Sequence, residues 1–497
     1  MQNLTTGVFT KHSKASFFQT DVSRIIILFL FSAFVIYFLQ PFLARVYFIL
    51  LVFGFWYSKK DYFWFAFIFL LIEQPAGFFS GGTASDLQRL PLYTVASGVS
   101  FAFYEIFILV AFLKALVKGK KTKLFFDKPL KWLFIYLILL LVFSFLFGMN
   151  EEGIVRTSRI LVFWTLFISF PYLLKSTDEL LRFCTLLFPF IFLVFAGQIY
   201  ELINGVPIIG LFKSVEPDKV GYSLKETENI FSVARFISAP FLNLFCFISS
   251  LFIINSRINI SLHKFYLYAV STICYLSVLF SATRGWFLAY TITAFLFFIT
   301  SSVNPVRIAT RILVPLLIFF ALYSFMPAFK IQINNAMVRI NTLEGFIHGD
   351  ITLGDTQKRT TVRSVQVMNA FYKNPLTGWG FSYNGNHDGH VGNQNLLQST
   401  GLIGFFLFFY FWLFYIYGLL KVKRRIKQSN PYKNSLLVLI YGFVGIFVIH
   451  STSTQMFGYD PQFTAINKIL FLVVFFVFSD IFMKEAMNID IRGSKIH

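Results

Sequence analysis

A series of long apolar runs, rich in Phe, Leu and Ile and separated by short polar connectors, constrains this chain most strongly. A run of about 18 or more apolar residues is long enough to cross the hydrocarbon core of a bilayer as a helix. Each such run must be helical, because lipid offers no water to backbone N–H and C=O groups. The sequence therefore predicts an all-α, polytopic helical membrane protein with one transmembrane domain over residues 1–497.

The apolar runs divide the chain into about 14 predicted transmembrane helices. They lie at 24–40, 42–58, 61–75, 94–113, 131–149, 158–174, 179–203, 233–255, 265–283, 285–302, 308–326, 396–420, 434–450 and 463–483. One long connector, 327–395, interrupts the series between two of them. Loops longer than about 15 residues are usually functional or disordered, so we expect this loop to carry chemistry and short helices.

Composition limits the class of protein further. The chain is 57% hydrophobic and 13% charged, whereas soluble proteins carry about 25% charged residues. A net charge of +20 suggests nucleic acid at first, but the Lys and Arg residues concentrate in connectors, as in membrane proteins that obey the positive-inside rule. We therefore predict the lipid bilayer, and no nucleic acid, as the partner of this charge. The three cysteines lie inside apolar runs and are interpreted as core residues.

Lys and Arg also predict the orientation of the chain in the membrane. The connectors 114–131 and 421–433 are rich in both residues and should be cytoplasmic. Counting spans from either connector puts both termini in the cytoplasm. The connectors 76–93, 204–232 and 327–395 then face outward. The last of them, 327–395, is the predicted catalytic loop.

The outward loop 327–395 contains a predicted helix and a turn. One face of a helix over 358–373 would carry Val362, Val365, Met368 and Tyr372. The helix should end near Asn374, because the residue before a proline is disfavoured in the α conformation. Pro375, Gly378 and Gly380 then form a turn that leads back to the membrane.

Four outward-facing arginines are candidate ligands for an anion: Arg235, Arg284, Arg359 and Arg363. Any one of them alone fits an interfacial anchor. Together they are unexpected on this side, where the positive-inside rule disfavours arginine. The planar guanidinium group binds phosphate through two parallel hydrogen bonds, so the set favours a lipid-linked diphosphate as ligand.

Ionisable residues in the loop and in the spans supply the other candidates. His387, Asp388 and His390 lie in a glycine-rich stretch and fit polar loop residues, a metal site of atypical spacing, or a general base. Glu105 lies in the middle of the fourth predicted span, where a carboxyl group is either functional or hydrogen-bonded within the bundle. Glu73 lies near the outer end of the third span and is interpreted as interfacial.

Four motifs in order along the chain resemble the superfamily of O-antigen ligases and O-antigen polymerases. They are ARFISAPFLN (234–243), SATRGWFL (281–288), NPLTGWGF (374–381) and HVGNQNLLQSTGLIGF (390–405). In that family an Arg precedes a proline-containing span, a Ser/Thr-Arg-Gly/Ala motif opens another, and a Pro-x-x-Gly-x-Gly turn follows a periplasmic helix. A His also lies eleven residues before a Gly-x-x-Gly motif, as His390 does before Gly401 and Gly404. The family often has Asn after this His, where Val391 stands here.

The resemblance implies a glycosyltransferase of the bacterial inner membrane that works on its periplasmic face. Its donor would be a glycan on undecaprenyl diphosphate, with no metal ion or cofactor. It implies diphosphate binding by Arg235, Arg284 and one of Arg359 and Arg363, with His390 as the catalytic base.

Two activities fit the resemblance. A polymerase extends O-antigen or exopolysaccharide, whereas a ligase attaches the glycan to the lipid A core in lipopolysaccharide biosynthesis. About 14 spans, against the roughly twelve usual in ligases, favour the polymerase, while the spacing of His390 favours the ligase. A polysaccharide transporter or flippase without chemistry is the alternative from another class.

Overall fold

The structure is a computed structural model. It describes residues 11–78, 92–96, 99–119, 124–125, 127–146, 148, 151–204, 208, 238–256, 258, 262–281, 283–300, 305–327, 329–334, 336–337, 359–381, 391–457 and 465–494. The helices are α1 Lys11–Phe38, α2 Pro41–Tyr57, α3 Asp61–Glu73, α4 Phe103–Lys118, α5 Asp127–Leu146, α6 Glu151–Trp164, α7 Leu166–Leu173, α8 Thr177–Asn204, α9 Pro240–Asn255, α10 Lys264–Phe280, α11 Arg284–Thr300, α12 Pro305–Phe325, α13 Ser364–Lys373, α14 Gly392–Arg425, α15 Ser435–Thr452 and α16 Ala465–Ser494. Two strands, β1 Leu92–Ala96 and β2 Val99–Ala102, form an antiparallel hairpin.

Within this described part of the chain, six helices are long and apolar enough to cross a membrane. They are Thr20–Phe38 of α1, α5, Thr177–Glu201 of α8, α14, α15 and Ile466–Asp490 of α16. Several others, such as α2, α9, α10 and α11, are apolar but shorter. The predicted helical class is therefore confirmed and is consistent with a multi-pass membrane protein, whereas the count of about 14 spans is not confirmed.

The helices form a bundle in which α9 and α16 are central. All side chains of α9 from Phe241 to Ile254 are buried, and 94% of the apolar window of α16 is buried. In α5 and α14 the corresponding share is only 39%, and residues such as Ile138 and Phe406 expose more than half of their surface. Helices that are apolar on every face and exposed on one suit a lipid environment.

The fourth predicted span, 94–113, is wrong at its start. Residues 92–96 and 99–102 form the two strands of the hairpin, with Tyr93 opposite Phe101 and Thr94 opposite Ser100, and α4 begins only at Phe103. β-Branched and aromatic residues in LYTVA and VSFA favour extended backbone. An apolar run therefore does not distinguish a short hairpin from the first turns of a helix.

Polar contacts group the helix ends at two opposite ends of the bundle. At one end, which we call the basic end, Lys114 on α4 pairs with Asp61 at the start of α3, 2.6 Å away. Asn255 at the end of α9 donates to the carbonyl of Asn434, next to the start of α15, at 3.1 Å. The connector 421–433 also lies at this end, because Asn430 donates to the carbonyl of Ala486 in α16 at 2.7 Å.

Candidate functional site

The opposite end, which we call the site end, is built where α3 and α15 finish and where α9, α11, α14 and α16 begin. Glu73, the last residue of α3, is only 4% exposed. One carboxylate oxygen accepts from the backbone N–H groups of Phe241 and Leu242 in the first turn of α9, both at 2.9 Å. The other accepts from Nδ2 of Asn467 in α16 at 2.7 Å. Glu73 is therefore buried, and its carboxyl group joins three helices inside the bundle.

Helices α9 and α11 contact each other on successive turns, beginning beside Arg284. The ring of Phe241 packs edge-on against Trp286, with 5.7 Å between centroids. One turn deeper, the hydroxyl of Tyr290 donates to Oδ1 of Asn243 at 2.9 Å. Arg284 is the first residue of α11 and is half-buried. The contacts of Trp286 and Tyr290 with α9 hold the backbone of α11 just after it.

The starts of α11 and α14 meet on the last turn of α15. A Cβ atom added to Gly285 would lie 2.6 Å from Oγ1 of Thr452, and one added to Gly392 would overlap the carbonyl of His450. Nδ2 of Asn393 also donates to Oγ of Ser451 at 3.2 Å. The residue after Arg284, Gly285, therefore contacts this turn of α15. The residue two positions after His390, Gly392, contacts the same turn.

The electrostatics of the site end favour an anion. Helices α11, α14 and α16 begin there beside the start of α9, which Glu73 caps, and a helix N-terminus carries partial positive charge. Arg284 adds a full positive charge, and the buried Lys468 in the first turns of α16 adds another. Phosphate groups bind at such helix ends in many proteins.

The turn that follows α13 fills a break in α14. Helix α14 is interrupted at Gly401, where φ is 62° and ψ is −173°. The carbonyls of Gln398 and Ser399 accept from the N–H groups of Trp379 and Gly380 at 2.9 and 2.8 Å. Beyond the break, two N–H groups of α14 donate to the carbonyls of Pro375 and Leu376 at 2.9 and 3.2 Å. The four backbone groups released by the break are thus satisfied by the turn, as burial in a membrane requires.

Glycine is required where the turn and the broken helix touch. A Cβ atom on Gly378 would lie 2.5 Å from the backbone nitrogen of Gly401, and Gly380 has a φ of 58° that disfavours other residues. A Cβ atom on Gly404 would lie 2.7 Å from the ring of Tyr136 in α5. The hydroxyl of Tyr136 in turn donates to the carbonyl of Thr400. The predicted turn residues Pro375, Gly378, Gly380, Gly401 and Gly404 therefore form one packed unit.

Val365, Met368 and Tyr372 share one face of α13, as predicted, but this is the less buried face of the helix. A π-helical turn at Arg359–Arg363 precedes α13, and the buried residues of α13 are Val367, Ala370 and Phe371. Val362, Val365 and Tyr372 are exposed. Val362 lies in the π-helical turn, which holds more residues per turn than an α-helix, so it does not follow the α-helical spacing of the other three residues. The predicted end is confirmed, because the last helical residue is Lys373 and Asn374 is not helical.

Glu105 lies at the start of a helix and not in the middle of a span. It belongs to the first turn of α4, where its Oε2 accepts from the N–H of Ala102 at 2.6 Å. Its Oε1 lies 3.2 Å from Nε of Arg159 in α6. A second nitrogen of Arg159 donates to the carbonyl of Ser100 in β2 at 2.7 Å. Glu105 therefore fixes the hairpin to α4 and α6, as the hydrogen-bonded alternative predicted.

The remaining predicted site residues are placed as follows. Arg363 ends the π-helical turn before α13 and is half-buried. Arg235, His387, Asp388, His390 and the side chain of Arg359 lie outside the described residues. The base and two of the diphosphate ligands therefore stay predictions, and the metal alternative for the two histidines and Asp388 is likewise a prediction.

His450 was not predicted from the sequence as part of a site. It is fully buried at the end of α15, and its Nδ1 accepts from the N–H of Met456 at 2.9 Å. The rings of Trp412 and Phe457 surround it, with centroids at 5.6 and 5.4 Å. A histidine in the last turn of an apolar run was the only signal in the sequence, and it equally fits an interfacial residue.

An apolar groove runs from the site end into the bundle. It is lined by α5, α6, α7, α14, α16 and the segment after α15. Its walls are aromatic and aliphatic, including Leu133, Trp164, Phe411, Leu472 and Phe476. Its polar lining consists of Gln455 and Lys468, and Lys468 directly follows Asn467, the partner of Glu73.

No family model matches the sequence, and no curated protein matches it.

Proposed function

We propose that this protein is a membrane-embedded, metal-independent glycosyltransferase that resembles the O-antigen ligases and polymerases. It would act at the periplasmic face of a bacterial inner membrane on a glycan carried by undecaprenyl diphosphate. The observation that carries the proposal is the meeting of α11 and α14 on the last turn of α15. This contact brings Arg284 and the segment that follows His390 to one end of the bundle. The N-termini of α9 and α16 lie at the same end.

The reaction is a displacement at the anomeric carbon of the donor sugar. His390 removes the proton of an acceptor hydroxyl, and the oxygen attacks the anomeric carbon from the face opposite the diphosphate. The bond from that carbon to the diphosphate oxygen breaks, its electron pair stays on the diphosphate, and the anomeric centre inverts. Arginine side chains stabilise the charge that develops there, with Arg284, Arg235 and one of Arg359 and Arg363 in this role.

The apolar groove suits the isoprenoid chain of the donor. Its walls are aromatic and aliphatic, and Lys468 lines it next to the residues that join α16 to Glu73. A chain of isoprene units gains about 25 cal/mol per Å² of apolar surface removed from water, but in a bilayer this gain is small. The groove would therefore orient the donor more than bind it, with the diphosphate held at the site end.

We prefer the polymerase to the ligase. A polymerase uses a lipid-linked repeat unit as acceptor, whereas a ligase uses the lipid A core. Products made from lipid-linked repeat units alone would identify a polymerase by their increasing length. Transfer that requires added lipid A core would identify a ligase.

A transporter is the second candidate function, because α14 is a broken helix. Broken helices in transporters present unpaired backbone groups that coordinate substrates or ions. Here the groups on both sides of Gly401 are already paired with the turn at 2.8 to 3.2 Å. Because these backbone groups are already hydrogen-bonded to the turn, the break favours an enzyme over a transporter.

The test is release of undecaprenyl diphosphate by the purified protein in liposomes that contain the lipid-linked glycan. We expect release by the wild type and a loss of about 10²–10³-fold in Arg284→Ala, the range seen when one transition-state donor is removed. Arg284→Lys should restore activity only in part, since an ammonium group cannot form the paired bonds of a guanidinium.

Arg424→Ala is the matched control, because Arg424 is exposed in the last turn of α14, near the connector of the basic end. It should keep wild-type activity. Movement of the intact lipid-linked glycan across the liposome membrane without release of undecaprenyl diphosphate would identify a transporter instead. Near-normal release by Arg284→Ala would reduce Arg284 to an interfacial anchor.

A further inference from the structure

The buried carboxylate of Glu73 is unusual in its surroundings. It lies at the end of an apolar helix with 4% of its surface exposed, where an ionisable group is expensive to maintain. No step of the proposed reaction uses it. Its two oxygens instead accept three hydrogen bonds, two from the first turn of α9 and one from Asn467.

The backbone around this carboxylate is strained. Among the described residues, the non-glycine positions with positive φ are Gln74, Ala76 and Ala239, at 51°, 57° and 47°. The first two follow Glu73 and the third precedes α9. The two segments touch, because the N–H of Ala76 donates to Oγ of Ser238 at 3.0 Å. Left-handed backbone at residues with a Cβ atom persists where surrounding contacts hold it, and such strain concentrates at functional sites.

The contacts of α9 extend this fixed geometry to Arg284. Glu73 holds the N–H groups of Phe241 and Leu242. The ring of Phe241 packs on Trp286, two residues after Arg284, and Asn243 accepts from Tyr290 one turn later. The first turn of α9 therefore contacts the first two turns of α11 through side chains.

We propose that Glu73 is a positioning residue, which holds α9 against α11 so that Arg284 meets the diphosphate of the donor. This inference rests on the proposed function, because it takes Arg284 as a diphosphate ligand. Asn467 orients the carboxylate from α16, so three helix ends determine where one guanidinium group lies. A displacement of about 1 Å in a catalytic group costs up to about 100-fold in rate.

The test compares Glu73→Gln with Glu179→Gln. Glu179 is a matched control, because it also caps a helix start, accepting from the N–H groups of Lys175 and Ser176 at 2.9 and 3.2 Å before α8. Each change replaces a carboxyl group with an amide and leaves one acceptor oxygen. The measurements are kcat and KM for undecaprenyl diphosphate release, inhibition by inorganic pyrophosphate, and thermal unfolding in detergent.

A double-mutant comparison separates positioning from simple stabilisation. Glu73→Gln should lower kcat/KM about 10- to 100-fold in the wild type and weaken pyrophosphate inhibition. In the Arg284→Lys background it should lower kcat/KM no more than about threefold, because coupled residues are not additive. Glu179→Gln should leave kcat/KM and pyrophosphate inhibition unchanged in both backgrounds. An equal loss from Glu73→Gln in both backgrounds would mean a structural role and would overturn the inference.

Asn467→Ala keeps the inference testable if Glu73→Gln does not fold. It removes one hydrogen bond to the carboxylate and leaves the charge, so the same dependence on Arg284 should appear with a smaller loss. If Arg284→Ala loses activity while Glu73→Gln and Asn467→Ala do not, the positioning role is wrong and the proposed function stands. If Arg284→Ala is also active, the assignment of the diphosphate site fails, and the inference with it.

Discussion

His390 has the most specific chemical role assigned to any residue of this chain, that of the general base. A positioned base contributes about 10²–10⁴-fold to a rate, so His390→Ala should lower turnover by that factor. Binding of the donor should change little, because the proposed reaction assigns the diphosphate to the arginines. A transfer assay with donor binding measured in parallel would check both expectations.

The pH dependence gives the same residue a second test. A base acts in its neutral form, so activity should fall as the pH drops through the range of about 5 to 8 in which histidine charges. This limb should disappear in His390→Ala and persist in His387→Ala, which serves as the control. Equal losses in the two variants would favour a shared structural or metal role. Full activity of His390→Ala would leave Asp388 as the next candidate base.

At the scale of elements, the break in α14 and the turn that fills it should act as one rigid unit. Gly401 has a backbone conformation that only glycine adopts readily, and a Cβ atom there would overlap the carbonyl of Leu376. Gly401→Ala should therefore destabilise the protein by about 3 kcal/mol or more. Chemical unfolding in detergent would measure the loss.

Gly148→Ala is the control for this prediction. Gly148 also has a positive φ, 82°, but its added Cβ atom meets nothing within 4 Å. Its substitution should cost about 1 to 2 kcal/mol, the left-handed penalty alone. Equal losses at the two positions would show that backbone conformation alone, and not the contact between turn and helix, limits stability.

At the scale of the whole molecule, the prediction concerns the sides of the membrane. The site end and the basic end are opposite ends of the bundle, and the Lys- and Arg-rich connector 421–433 lies at the latter. The positive-inside rule then places the site end outside. A membrane-impermeant maleimide should label Asp355→Cys, and not Gln428→Cys, in cells with a permeabilised outer membrane.

The native cysteines make this labelling experiment practical. Cys184, Cys246 and Cys274 are all buried, so the unmodified protein should give no signal and serves as the control. Labelling of Gln428→Cys but not Asp355→Cys would reverse the orientation and remove the periplasmic site.

The sequence by itself determined the class of fold and the places where chemistry is expected. Apolar runs of bilayer length require helices, since unpaired backbone groups are too costly in lipid, and the structure confirms the helices. Proline and glycine likewise determine the conformation of the backbone next to them. The end of α13 before Asn374 and the turn at Pro375, Gly378 and Gly380 were therefore predictable. The partnership of Gly378 with Gly401 was not, because it depends on two segments meeting in space.

Only the tertiary structure decided what the buried polar groups do. Glu105 and Glu73 look alike in the sequence, as carboxyl groups in apolar runs, yet the first fixes a hairpin and the second joins three helix ends. In α13 the buried residues are Val367, Ala370 and Phe371, and not the apolar residues at helical spacing, because packing against neighbouring segments decides which face is buried. Hydrogen-bond partners and the buried face of a helix depend on long-range packing, which periodicity along the chain does not encode.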